Sequence, residues 1–154
     1  MFTNVLVASH GTQGAQAAED LALKIAIRFE SVLNLVTVIN ENWQHMTGDD
    51  WLNTSACRNQ FRRHVESEVN GEADEVIGRV RSRASESGIQ FRHFKTVGIP
   101  VVEILNVADT ISADLIVVGA RQIKQDLGFK SRLPWEKFIE SSRIPVIIAP
   151  VMEY

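Results

Sequence analysis

The sequence predicts a single doubly wound α/β domain, and three observations carry that prediction. Short apolar runs rich in Val, Ile and Leu recur along the chain, as at Val32–Ile39 and Pro145–Val151. The segments between them space their apolar residues by three and four, the period of an amphipathic helix. The two patterns alternate from one end of the chain to the other, and alternation of this kind implies a parallel sheet with right-handed crossovers and helices on both faces.

Asn4–Ser9 is the first strand, a β-branched apolar run closed by His10-Gly11. Gln13–Phe29 follows as a helix with Ala17, Leu21, Ile25 and Ala26 along one face. Val32–Ile39 reads as a second buried strand. Phe91–Val97 is a third, more polar and therefore expected near the sheet edge. The longest connection lies between these two strands. Its second half, about Thr54–Ser87, carries Phe61, Val65, Val69, Ala73, Val76, Ile77, Val80 and Ala84 at helical spacing. Gly71 and Gly78 are expected to weaken or bend this helix, and Gly88 to end it as a left-handed cap residue. Pro100–Ile111 opens with proline in its first turn and aligns Val101, Ile104, Leu105 and Ala108. Leu115–Val118 is the fourth strand, Pro134–Ser142 the last helix and Pro145–Val151 the final strand.

Size and composition narrow the function classes. A chain of 154 residues, 45% hydrophobic and 23% charged, fits one globular domain over residues 1–154. The net charge of -3 argues against a protein that coats nucleic acid or an anionic membrane. It favours small-molecule or protein partners. The single cysteine, Cys57, rules out an internal disulfide framework and suggests a reducing compartment. The N-terminal run lacks a basic region and is only a strand long, so it does not read as a signal peptide, and no segment reaches a bilayer's span. A cytoplasmic location is expected.

Chemistry concentrates where the fourth strand breaks at Gly119 into Gly-Ala-Arg-Gln-Ile-Lys-Gln-Asp-Leu-Gly-Phe-Lys-Ser-Arg. In a parallel α/β domain, a strand ending in glycine before a helix start is where phosphate meets exposed backbone N–H groups. Arg121, Lys124, Lys130 and Arg132 against the lone acid Asp126 could attract an anion by charge, or form a solvated basic loop.

The segments Val5-Leu6-Val7-Ala8-Ser9-His10-Gly11-Thr12, Gly98-Ile99-Pro100 with Ile104 and Ala108, Ala113-Asp114-Leu115-Ile116-Val117-Val118-Gly119, and Ile144-Pro145-Val146-Ile147-Ile148-Ala149-Pro150 occur in this order. Together they resemble the universal stress protein family over nearly the whole chain. The resemblance implies a Rossmann-like sheet of five mostly parallel strands, order 3-2-1-4-5. It also implies a homodimer through the last strand, Ile144 to Val151, and a regulatory or accessory role in stress response rather than an enzyme. Members that bind ATP carry an Asp after the first strand and a Gly-x-x-Gly, nine residues, Gly-Ser/Thr pattern after the fourth. Here His10 takes the first place. Gly119 opens the second pattern, but its next glycine falls on Gln122 and its last pair on Arg132-Leu133. Glycine admits a phosphate to the backbone, whereas Gln122 and Arg132 each place a Cβ and a long side chain there. Weak or absent ATP binding is the expectation, with an unidentified protein as partner.

Two ligand-binding alternatives stay open. An adenine nucleotide held in an altered pose would use Ser9, His10, Gly11, Thr12, Val38, Gly119, Arg121, Lys130 and Ser131, with Gly128 supplying flexibility. Ser9-His10-Gly11-Thr12-Gln13-Gly14 also has some likeness to the phosphate loop of flavodoxins, although Phe129 alone offers an aromatic ring in the later loop. The simpler account of that turn is that Gly11 bends it and Thr12 caps the helix. Trp43, Trp51, His45 and Met46 beside Asp49 and Asp50 could form a lid over a ligand, or the two tryptophans could pack under their own loop or at a subunit contact.

Catalytic and metal chemistry finds no support in the spacing. His10, His45, His64 and His93 share no helical face, no Gly-x-Ser-x-Gly elbow is present, and Cys57 has no activating motif. Receiver chemistry would need carboxylates where Ser9 and His10 stand. A dinucleotide fold would need Gly-x-Gly-x-x-Gly after a strand, which is missing.

Overall fold

The computed structural model describes residues 2–9, 13–40, 71, 73–120 and 135–150. In chain order the elements are β1 (Asn4–Ala8), α1 (Gln13–Phe29), β2 (Val32–Asn40), α2 (73–86), β3 (Phe91–Gly98), α3 (Pro100–Ile111), β4 (Leu115–Gly119), α4 (Trp135–Ser141) and β5 (Val146–Ala149). The strands form one sheet in the order β3-β2-β1-β4-β5. Every pairing is parallel, where a mostly parallel sheet was expected.

Apolar residues on both faces of the strands explain why helices must cover both sides. Val5, Val7, Leu33, Leu35, Leu115 and Val117 point to one face, where α1 and α2 close a core. Leu6, Val36, Ile116 and Val118 point to the other, where α3 and Phe138 of α4 close a second. β3 is an edge strand, as its polarity indicated, with Arg92, His93 and Lys95 exposed. Asp114 ties the start of β1 to β4: its carboxylate accepts from the Thr3 N–H at 2.7 Å, the Thr3 hydroxyl at 2.9 Å and the Asn4 N–H at 3.2 Å.

α1 buries Ala26 of the expected face, but the centre of its buried stripe is displaced from the other three residues. Ala15, Ala18, Ala22, Leu23 and Ala26 are buried, whereas Ala17, Leu21 and Ile25 pack at the rim of the core. Small alanines let the helix lie close on the central strands, so the larger side chains flank the contact rather than fill it.

In α2, Ala73, Val76, Ile77, Val80 and Ala84 are buried as the spacing required, and the helix continues through Gly78. Phe61, Val65, Val69 and Pro134 lie outside the described residues. Gly88 adopts φ 71°. The Ile89 N–H bonds back to the Ala84 carbonyl at 3.0 Å and the Gly88 N–H to Ser85 at 3.1 Å, which satisfies two carbonyls the helix end leaves unpaired.

Candidate functional site at the carboxyl ends of the strands

In an open parallel sheet, ligands sit beyond the carboxyl ends of the strands where the winding direction reverses. With the order β3-β2-β1-β4-β5, that reversal falls between β1 and β4. Val7 lies beside Val117, and Ala8 beside Val36. The Ser9 N–H donates to the Val36 carbonyl at 3.2 Å, extending this pairing one residue past β1. On the other flank Gly119 lies beside Ala149, and the Ala120 N–H donates to the Ala149 carbonyl at 2.8 Å. Val38 of β2 pairs with Thr96 of the edge strand β3.

Three residues expected at a ligand site therefore share one end of the sheet: Ser9 after β1, Val38 near the end of β2 and Gly119 closing β4. Val38 and Gly119 are half-buried and Ser9 is buried. His10, Gly11, Thr12, Arg121, Lys130 and Ser131 lie outside the described residues, as do Gln122, Gly128, Arg132, Leu133 and the segment with Trp43 and Trp51. Nearby, Gly98 ends β3 in close quarters: a Cβ there would stand 2.7 Å from Oε1 of Glu103.

Sequence reasoning missed the charged group beside this site. Glu19 is 1% exposed on α1. Its Oε1 accepts from the Ser9 hydroxyl and from Nη2 of Arg79 at 2.8 Å. Its Oε2 accepts from Nε and Nη2 of Arg79 at 3.2 and 3.0 Å. The two-pronged guanidinium contact is the geometry that holds a buried carboxylate best. Periodicity gave no such signal, because residue 19 lies on the face of Ala15, Ala18 and Ala22, whose burial the spacing of Ala17, Leu21 and Ile25 did not indicate. A second pair, Arg83 with Asp20, joins α2 to α1 at the surface.

Among the described residues, no group of three His, Cys, Asp or Glu side chains could hold a metal ion. His93 stands apart from the crevice on β3, with its Nδ1 2.7 Å from Nη2 of Arg81. At the opposite sheet edge, β5 exposes Ile148, and Ile139 of α4 is exposed as well. No helix among the described residues is long and apolar enough to cross a membrane.

A five-stranded parallel sheet in this order is a doubly wound α/β architecture, in which ligands bind where the winding reverses, here between β1 and β4. The family model of the Universal stress protein family matches residues 1–150, and the chain belongs to that family. It is 29% identical over 123 residues to universal stress protein YxiE of Bacillus subtilis (strain 168), across 80% of this chain and 82% of that one. The crystal structure of a universal stress protein in complex with cAMP matches with a TM-score of 0.67 and 20% identity, covering 98% of each chain. A universal stress protein family member from Arabidopsis thaliana, crystallised with AMP bound, matches with a TM-score of 0.64 and 16% identity, covering 97% of this chain and 92% of that one. The flavodoxin-like alternative gains nothing from these matches.

Proposed function

We propose that this universal stress protein is a cytoplasmic, non-enzymatic regulatory module whose crevice takes an adenine nucleotide weakly and whose output passes through protein contacts. The carrying observation is the loop that leaves the crevice at Gly119. It keeps the opening glycine of the family pattern but has Gln122 and Arg132 where glycines would admit phosphate to the backbone, and Leu133 where a Ser or Thr would supply a hydroxyl. Relatives of the same fold hold AMP and cAMP, and Ser9, Val38 and Gly119 supply the corresponding end of the sheet here.

Isothermal titration with ATP and magnesium tests this reading. We expect no measurable heat, or a dissociation constant weaker than about 0.1 mM. Binding at micromolar or tighter would mean that the altered loop still cradles phosphate, and would replace weak affinity with a nucleotide-dependent mechanism.

The second part of the proposal is a homodimer through β5. This edge strand is only four residues long and exposes Ile148, with Ile139 close by in sequence on α4. Unpaired backbone at a sheet edge together with apolar side chains favours covering by another copy.

A further inference from the structure

A carboxylate in the alanine face of α1 calls for an explanation other than stability. Glu19 stands among Ala15, Ala18 and Ala22, almost wholly out of water. A hydrocarbon side chain would fill the position without the cost of desolvating an ion, and replacing buried ion pairs by apolar groups is often neutral or stabilising. What only an acceptor can do at this place is hold the Ser9 hydroxyl. Ser9 is then held through its side chain to Glu19 and through its backbone N–H to Val36. It is fixed at the point where the chain leaves β1 for the turn toward α1. Glu19 is itself oriented by Arg79, which reaches across from α2 and remains 38% exposed.

We propose that Glu19, oriented by Arg79, is a positioning residue for the crevice: it sets the exit of the chain from β1 and makes that geometry depend on the placement of α2. The inference rests on the reading of the crevice as a weak adenine-nucleotide site. The pair thus links a helix surface to a ligand site that neither side chain has to touch.

The test compares the full-length wild type with the double variant Glu19→Leu/Arg79→Leu by thermal unfolding, site-resolved amide hydrogen exchange and titration with AMP followed by NMR. A positioning role predicts that the double variant unfolds at or above the wild-type temperature. Exchange at Ser9 should nevertheless quicken about tenfold or more relative to Val117 and Leu35, and AMP affinity should fall by a similar factor. Arg79→Lys keeps the charge but loses the two-pronged contact, so it is the milder second variant and should move Ser9 in the same direction. Wild-type exchange at Ser9 in either variant overturns the proposal. So does a uniform loss of protection at Ser9, Val117 and Leu35, which would assign the pair to packing alone. If AMP causes no shifts in the wild type up to about 10 mM, the nucleotide reading fails, while the exchange comparison still decides the role of Glu19.

Discussion

Three helices of this protein end in the same way with different residues, which isolates the energetic cost of a left-handed backbone. Gly88 after α2 has φ 71°, Glu30 after α1 has φ 53° and Ser112 after α3 has φ 55°. Each is followed by a residue whose N–H bonds back into the last turn: Ile89 to Ala84 at 3.0 Å, Ser31 to Ala26 at 2.9 Å and Ala113 to Ala108 at 2.9 Å. A residue with a Cβ costs roughly 1–2 kcal/mol in this conformation, while glycine's freedom in the unfolded chain returns about 0.4–1 kcal/mol of that difference. At Gly88 an added Cβ meets nothing within 4 Å, so Gly88→Ala reports the backbone term without a clash. The net expectation is a loss of about 1 kcal/mol, or about 2–4 °C in unfolding temperature for a chain of this length. Ser112→Gly and Glu30→Gly are expected to gain about 0.5–1 kcal/mol each, since both side chains are exposed. Urea unfolding monitored by far-ultraviolet circular dichroism measures all three. A neutral Gly88→Ala, or a destabilised Ser112→Gly, would refute the assignment of these helix ends to a strained left-handed residue.

Other consequences follow from individual side chains. Phe138 is wholly buried and is the anchor of the short helix α4 in the second core, so Phe138→Ala should cost about 3–5 kcal/mol by thermal or urea unfolding; a loss below about 1 kcal/mol would show that α4 contributes little to the fold. Asn34 lies buried in β2 with its Oδ1 unpartnered, while Nδ2 donates to the Val5 carbonyl at 3.2 Å and the Val32 carbonyl at 3.4 Å. Replacing it by a β-branched apolar residue removes that cost, and Asn34→Val should stabilise by about 1 kcal/mol in the same assay, whereas a clear loss would mean that its amide donates bonds worth more than its orphaned oxygen costs. The proposed homodimer predicts that the wild type sediments as a dimer and that Ile148→Lys, which places a charge on the exposed edge of β5, sediments as a monomer; a monomeric wild type would refute the dimer, and a variant that stays dimeric would move the interface elsewhere.

The residues themselves determined the alternation of elements, because parallel strands buried on both faces read as continuous apolar runs and the helices between them keep their own period. Pro100 opening α3, Gly88 closing α2 and the polarity of edge strand β3 were legible for the same local reasons. The resemblance of four segments, read in order, supplied strand order and family together. Packing decided what a one-dimensional pattern leaves open. The buried stripe of α1 is mostly alanine, with Leu23 and Glu19 beside it, because close approach to the central strands selects small side chains and turns Leu21 and Ile25 to the rim. Left-handed residues at Glu30 and Ser112 carry no sequence signal comparable to Gly88, since the backbone bonds of each helix end impose the conformation. Above all, Glu19, Arg79 and Ser9 are separated in the chain and carry no common motif. Only the docking of α2 beside α1 brings a guanidinium to a buried carboxylate and that carboxylate to the end of β1, because a charge can stay in the interior only where tertiary structure delivers its partners.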